Sequence, residues 1–297
     1  MLMPERPMDT LLSTDLPATL TSKQRTALIS LLVDDDPAIY DMVRRRILDY
    51  GRVACEWLRP YMLSNDPAMR RRALEIVHHL ARQDSDERFL DFCLHNGEEL
   101  DLEQAMGLLA QTQYPDTNPD AYRALYDHWA GELRARIDFS GEPAAILGAI
   151  NEYLFGELGF TGNGRYADSP DSCYLNRVVD HRTGNPISLC AIYLFLGRRL
   201  RLPVTGIGLP GHFICRYQST TVEIYIDAFR RGNFPTKADC IKHLVNTNHS
   251  LQEGYLTPVT SRRILQRACA NLQQTYASLE MTEEATRTQR YLVALAK

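Results

Sequence analysis

Gly184-Asn185-Pro186-Ile187-Ser188-Leu189-Cys190 reads as the start of a helix, and the residues that open it govern how the rest of the chain is interpreted. Asn185 is a good helix cap, and Pro186 suits the first helical position, where a missing N–H costs nothing. The helix expected over 186–200 is apolar on nearly every face through Ile187, Leu189, Ala191, Ile192, Leu194, Phe195 and Leu196, so it should be buried. Gly211-His212-Phe213 and Ile226-Asp227 follow, on strands expected over 212–217 and 222–227 after a first strand over 204–208.

An antiparallel pairing that sets Phe213 against Ile226, Cys215 against Ile224 and Tyr217 against Val222 puts these apolar residues on one side. Arg216 then meets Glu223 on the other, and His212 stands opposite Asp227. Opposed Cβ atoms lie ~4.5–5.5 Å apart, close enough for a carboxylate to hold an imidazole in one tautomer. A slip by one residue would turn Arg216 and Glu223 into the core, which excludes it.

Several separated stretches occur in one order: Tyr153-Leu154-Phe155-Gly156-Glu157-Leu158-Gly159-Phe160, Tyr174-Leu175-Asn176-Arg177-Val178-Val179, residues 182–189, residues 208–213 and Tyr225-Ile226-Asp227-Ala228-Phe229. Together they resemble the bacterial SirB-type family, a branch of the transglutaminase-like superfamily, over roughly residues 140–297. The order of helix start, His and Asp is that of transglutaminase-like and papain-like thiol enzymes. In those enzymes the cysteine opens the helix, because its free N–H groups and dipole stabilise a thiolate. Aligned on this resemblance, Pro186 stands at the nucleophile position, and proline has no acid, base or nucleophilic chemistry. The vestigial pair is then His212 and Asp227.

Cys190 is the fallback nucleophile, one turn further along the helix. Burial there should raise its thiol pKa, so the structural reading is a small core residue. Ser188, in the first turn and expected to be better exposed, reads as a cap or polar contact. Asn176, His181, Arg182, Asn185 and Ser188 are the residues that could line a cleft, with His181 in the loop before the helix, where plain solvation is the simpler reading. His78 and His79 read as solvated or packing. No Cys or His pair has zinc-ligand spacing, and no Gly-rich phosphate loop is present, so neither a metal nor a cofactor is expected.

Composition narrows the class further. The chain is 44% hydrophobic and 24% charged, as in an ordinary globular protein. A net charge of −4 offers no electrostatic case for nucleic acid or an anionic membrane. Neither a signal-like leader nor an apolar run of membrane-spanning length is present. Seven cysteines placed singly suit a reducing cytoplasm better than a disulfide framework.

Residues 28–51 and 58–81 read as one unit written twice, with Asp36-Pro37-Ala38 recurring as Asp66-Pro67-Ala68. Each Asp-Pro supplies an N-cap and a proline at the first position, so each copy should be helix, tight turn, helix. A weaker third copy over 90–110 would use Asp101 as its cap. The set reads as a short HEAT-like array or, equally, a generic helical bundle. Near the end, Ile264, Leu265, Ala268, Cys269, Leu272 and Tyr276 share a helical face, and Thr282 should cap a second helix. That hairpin resembles part of a tetratricopeptide repeat, with a plain packing hairpin as the alternative.

The expectation is therefore a mostly helical α+β protein in four parts: an N-terminal tail over 1–25, a helical HEAT-like array over 26–140, a transglutaminase-like domain over 141–257, and a tetratricopeptide-like hairpin over 258–297. In that domain a central buried helix packs on a small antiparallel sheet. The resemblance implies a non-catalytic, cytoplasmic interaction or regulatory module with a protein or peptide partner. A thiol hydrolase or acyltransferase using Cys190 with His212 and Asp227 stays open, as does a small-molecule pocket.

Overall fold

The computed structural model describes residues 20–163, 168–247 and 253–297. Most of the tail expected over 1–25, and residues 164–167, lie outside the described residues. The chain is α+β and mostly helical, and it divides into two compact units between Asp84 and Ser85.

In the first unit, α1 (Ser22–Ser30) runs into a 3-10 turn at Leu31–Val33 and then α2 (Pro37–Leu48). The same order follows with α3 (Arg52–Leu58), a 3-10 turn at Arg59–Leu63 and α4 (Pro67–His95). Both helices begin at the expected prolines. The Asp36 carboxylate accepts from the Ala38 N–H at 2.9 Å, and Asp66 accepts from Ala68 at 2.9 Å. Two residues earlier, Asp34 takes the Asp36 N–H and Ser64 takes the Asp66 N–H, so the local bonding repeats along with the sequence. Ile29, Leu32, Val43, Ile47, Ala54, Leu58, Ala73 and Ile76 form this unit's core. Each cap substitution, Asp36→Ala or Asp66→Ala, is expected to lower stability by about 1 kcal/mol in urea unfolding. Losses below about 0.3 kcal/mol at both would show that the caps do not hold these helices.

The third copy expected over 90–110 is the end of α4 followed by α5 (Leu102–Gln113), whose first turn Asp101 does cap, accepting from the Glu103 and Gln104 N–H groups.

The second unit continues with α6 (Pro119–Arg136), α7 (Pro143–Asn151), a π-helical turn at Glu152–Glu157, α8 (Leu175–His181) and α9 (Pro186–Arg199). Next come β1 (Val204–Leu209), β2 (His212–Gln218), β3 (Glu223–Ile226), α10 (Lys237–Asn246), α11 (Ser261–Ser278) and α12 (Thr282–Leu295). One hydrophobic core reaches from Phe89 to Leu295, taking in Met106, Trp129, Tyr174, Leu189, Phe213, Leu265 and Tyr291. The boundary drawn at 140/141 falls inside this core, and so does the one at 257/258. The physical reason is that α5, α6, α11 and α12 each bury a face against the same interior, which local composition does not reveal. In the terminal hairpin the expected α11 face is buried, but Met281 rather than Thr282 occupies the cap position of α12.

The three described strands form one antiparallel sheet in the order β1-β2-β3. Phe213, Cys215, Tyr217 and Ile226 face α9, while Ile207, Leu209, Ile214 and Tyr225 pack with Cys240 and Leu244 of α10. The β2–β3 register differs from the expected one by two residues: Cys215 pairs with Ile226, Tyr217 with Ile224, and Gln218 with Glu223. A shift of two leaves every side chain on its own face, so alternation could not distinguish the two pairings. The turn decides between them. Ser219 and Val222 close it with backbone N–H to carbonyl contact at 2.9 Å, and the Ser219 hydroxyl takes the Val222 N–H at 3.0 Å.

Candidate functional site

Asn185 caps α9 by accepting the Ser188 N–H at 2.9 Å, and Pro186 takes the first helical position. Ser188 is buried rather than exposed, and its hydroxyl donates to the Ser172 carbonyl at 2.8 Å. The first turn of α9 is thus occupied by a capping arrangement. Cys190 lies beyond it with 0% exposure, its thiol donating to the Phe213 carbonyl on β2 at 3.5 Å. Burial pushes this thiol well above its ordinary pKa, and the neighbouring Cys215 thiol adds to the effect.

His212 opens β2, and Asp227 follows the end of β3. In the observed register they meet diagonally, with His212 Nε2 2.8 Å from Asp227 Oδ2. The carboxylate is almost fully buried and the imidazole is 13% exposed. With the Nε2 proton donated to Asp227, Nδ1 keeps its lone pair for a ligand donor or a proton. Asp227 also accepts the Arg230 N–H at 3.1 Å, and the Arg230 guanidinium lies 3.7 Å away.

The segment carrying Asp227 is clamped in place. Asp227 and Asn233 exchange a β-bridge, the Asn151 amide donates to the Gly232 carbonyl at 2.6 Å, and Arg231 donates to the Phe155 carbonyl in the π-turn at 2.8 Å. Gly232 has φ +75, and a Cβ there would stand 2.3 Å from Asn151, so glycine is required twice over. Phe229 lies edge-on to His212 with centroids 5.9 Å apart, and its ring covers Gly162, where a Cβ would come within 2.3 Å. The residue before that glycine, Thr161, bonds through its backbone to Arg182 and Gly184, just ahead of Asn185. A continuous run of contacts therefore leads from the helix start to the imidazole.

Among the other expected cleft residues, His181 ends α8 rather than lying in a loop. Arg182 is half-buried, with its guanidinium 5.1 Å from the Trp129 ring centre and 4.8 Å from that of Phe160. The Asn176 amide donates to Thr117 at 3.1 Å. Asn185 and Ser188 are brought together, while Asn176 and Arg182 are engaged with residues ahead of α6, within it and after the π-turn. Sequence reasoning missed His243, whose ring on α10 lies 5.8 Å from that of His212 and contacts the Pro210 carbonyl at 2.9 Å. Nothing in its own stretch signals it. Phe229 and Arg230 could have been found from their nearness to Asp227. Among the described residues, no group of three or more His, Cys, Asp and Glu side chains is placed to hold a metal ion. All seven cysteines are free thiols.

The model of the transglutaminase-like superfamily matches residues 120–270. The chain belongs to that superfamily. The matched range begins at α6, earlier than the resemblance read from motifs, and stops within α11. A UPF0162 protein of Xylella fastidiosa is 33% identical over 198 residues, covering 64% of this chain and 70% of the relative. F-box only protein 21 of Mus musculus is 32% identical over 135 residues, 43% of this chain and 21% of that protein. Protein SirB1 of Salmonella typhimurium is 33% identical over 102 residues, 32% of this chain and 38% of that protein. No solved structure matches. Within the transglutaminase-like region, the helix start, His212 and Asp227 keep the expected order. Among the described residues, no helix is long and apolar enough to cross a membrane.

Proposed function

We infer that this chain is a non-catalytic transglutaminase-like protein, a protein-interaction or regulatory module whose cleft and helical arrays take a protein or peptide partner in the cytoplasm. The observation that carries the reading is the start of α9. Pro186 stands where the resemblance puts the nucleophile, and Cys190 is sealed in the core with its thiol on a backbone carbonyl. Cysteine catalysis needs a thiolate beside its base, with the helix N–H groups acting on it directly. A fully buried thiol with a raised pKa provides neither. His212 and Asp227 then serve recognition, with Nδ1 available to a donor on the partner. The paired Asp-Pro helices fit a HEAT-like array, and α11 with α12 fits a tetratricopeptide-like hairpin.

Iodoacetamide labelling at neutral pH, with the modified cysteines mapped, tests this reading. Cys190 is expected to react at least about tenfold more slowly than half-buried Cys55, and to be indifferent to His212→Ala. Rapid, selective labelling of Cys190 that disappears in His212→Ala would establish the thiol hydrolase or acyltransferase reading instead.

A further inference from the structure

A groove of about 590 Å³ runs beside the sheet, between the β1–β2 end and the faces of α11 and α12. Its apolar lining includes Phe213, Val259, Leu292 and Val293, and Val293 is 54% exposed. Two arginines on α11 also line it, Arg263 and Arg267, one turn apart on the same face.

Among the described residues, the charges in this groove meet no carboxylate. Neither arginine forms an ion pair among the described residues. Arg267 is half-buried, and one end of its guanidinium, Nη2, donates to the backbone carbonyls of Leu209 and His212, the latter at 2.9 Å. Its Nη1 lies over Gly208, where a Cβ would stand 3.1 Å away, so the glycine keeps this end of the groove open. Burial lowers the Arg267 pKa, and no acidic neighbour opposes the shift. A second cleft of about 590 Å³ is lined by Arg198 and Arg216, but there the charges are already met: Arg198 pairs with Asp101 and Glu103, and Arg216 with Glu223. Taking a cation out of water without a partner is costly, which favours a ligand that supplies the counter-charge.

We propose that this groove docks an acidic peptide segment of the partner, its carboxylates on Arg263 and Arg267 and its apolar side chains against Val259, Leu292 and Val293. This deepens the interaction-module reading and rests on it. The Gln266 and Gln289 amides on the groove walls can bond the peptide backbone, and the Arg267 contact with the His212 carbonyl ties the groove to the His–Asp pair.

The test is fluorescence anisotropy of the full chain with a labelled eight-residue peptide of alternating leucine and glutamate, beside leucine–lysine and leucine–glutamine versions. Saturable binding is expected for the glutamate peptide alone, weakening as salt rises from about 0.05 to 0.5 M. Arg263→Glu, a change at an exposed position, should weaken it by about tenfold or more, and Gly208→Val, which narrows the groove, should weaken it as well. Equal binding of the lysine peptide, unchanged affinity in Arg263→Glu, or no saturable binding at all would overturn the groove assignment. The non-catalytic reading is judged separately by the thiol labelling, so either can fail while the other stands.

Discussion

Arg262→Ala is expected to lower the stability of the second unit by about 3–5 kcal/mol. Arg262 lies in the first turn of α11 and is 8% exposed. Its Nε donates to the Leu295 carbonyl at 3.0 Å and Nη2 to Ala294 at 3.1 Å, both at the end of α12. Its Nη1 donates to Cys93 at 2.9 Å and Asn96 at 2.7 Å, at the end of α4. These carbonyls are among the last of their helices and have no intrahelical partner, and a cation there also meets the negative ends of two helix dipoles. Hydrogen bonds to a charged group contribute about 1.5–3 kcal/mol each, and water entering the space returns part of that. Lysine offers a single point of donation and cannot span both helix ends, so Arg262→Lys should recover less than half of the loss. The measurement is the urea midpoint at constant m-value, and a loss under about 1 kcal/mol would show that the helix ends hold without this clamp.

Glu103→Ala is expected to cost about 3–5 kcal/mol, for the opposite reason: it removes the buried carboxylate that the surrounding arginines share. Glu103 lies in the first turn of α5 with its side chain 6% exposed. Arg199 of α9, 11% exposed, approaches it with a two-pronged contact, Nη1 to Oε2 at 2.7 Å and Nη2 to Oε1 at 2.9 Å. The hydrogen bonds to Glu103 raise the Arg199 pKa further, and Asp127 of α6 adds a contact at 2.6 Å. Arg198 and Arg123 complete the surround. Losing Glu103 leaves the buried Arg199 with only the exposed Asp127 carboxylate, whereas Arg198→Ala removes a 59% exposed partner and should change stability by less than about 1 kcal/mol. Equal effects from the two substitutions would sink this account.

Much of the site was legible from the chain alone, because its cues are local or periodic. The Asn185-Pro186 helix start is written in capping chemistry that acts within one turn, and the same holds for Asp36-Pro37, Asp66-Pro67 and Asp101. Alternation along 212–217 and 222–227 placed His212 and Asp227 on one side of the sheet, and they do meet. It could not choose between registers two residues apart, since both satisfy the same pattern. That choice fell to the Ser219–Val222 turn, closed by a backbone hydrogen bond and the Ser219 hydroxyl.

Sequence by itself therefore determined the helix starts, the apolar faces of α9 and α11, and the face shared by the His–Asp pair, because hydrogen bonds and side-chain periods within a few residues dictate them. Tertiary structure alone decided that the compact unit begins at Ser85, and that Arg262 and Glu103 are buried while Arg263 and Arg267 remain without ion-pair partners among the described residues. It also brought His243 and Phe229 beside His212. Each of these depends on groups far apart along the chain, and a charged residue carries no local mark of whether a distant carbonyl or carboxylate will come to meet it.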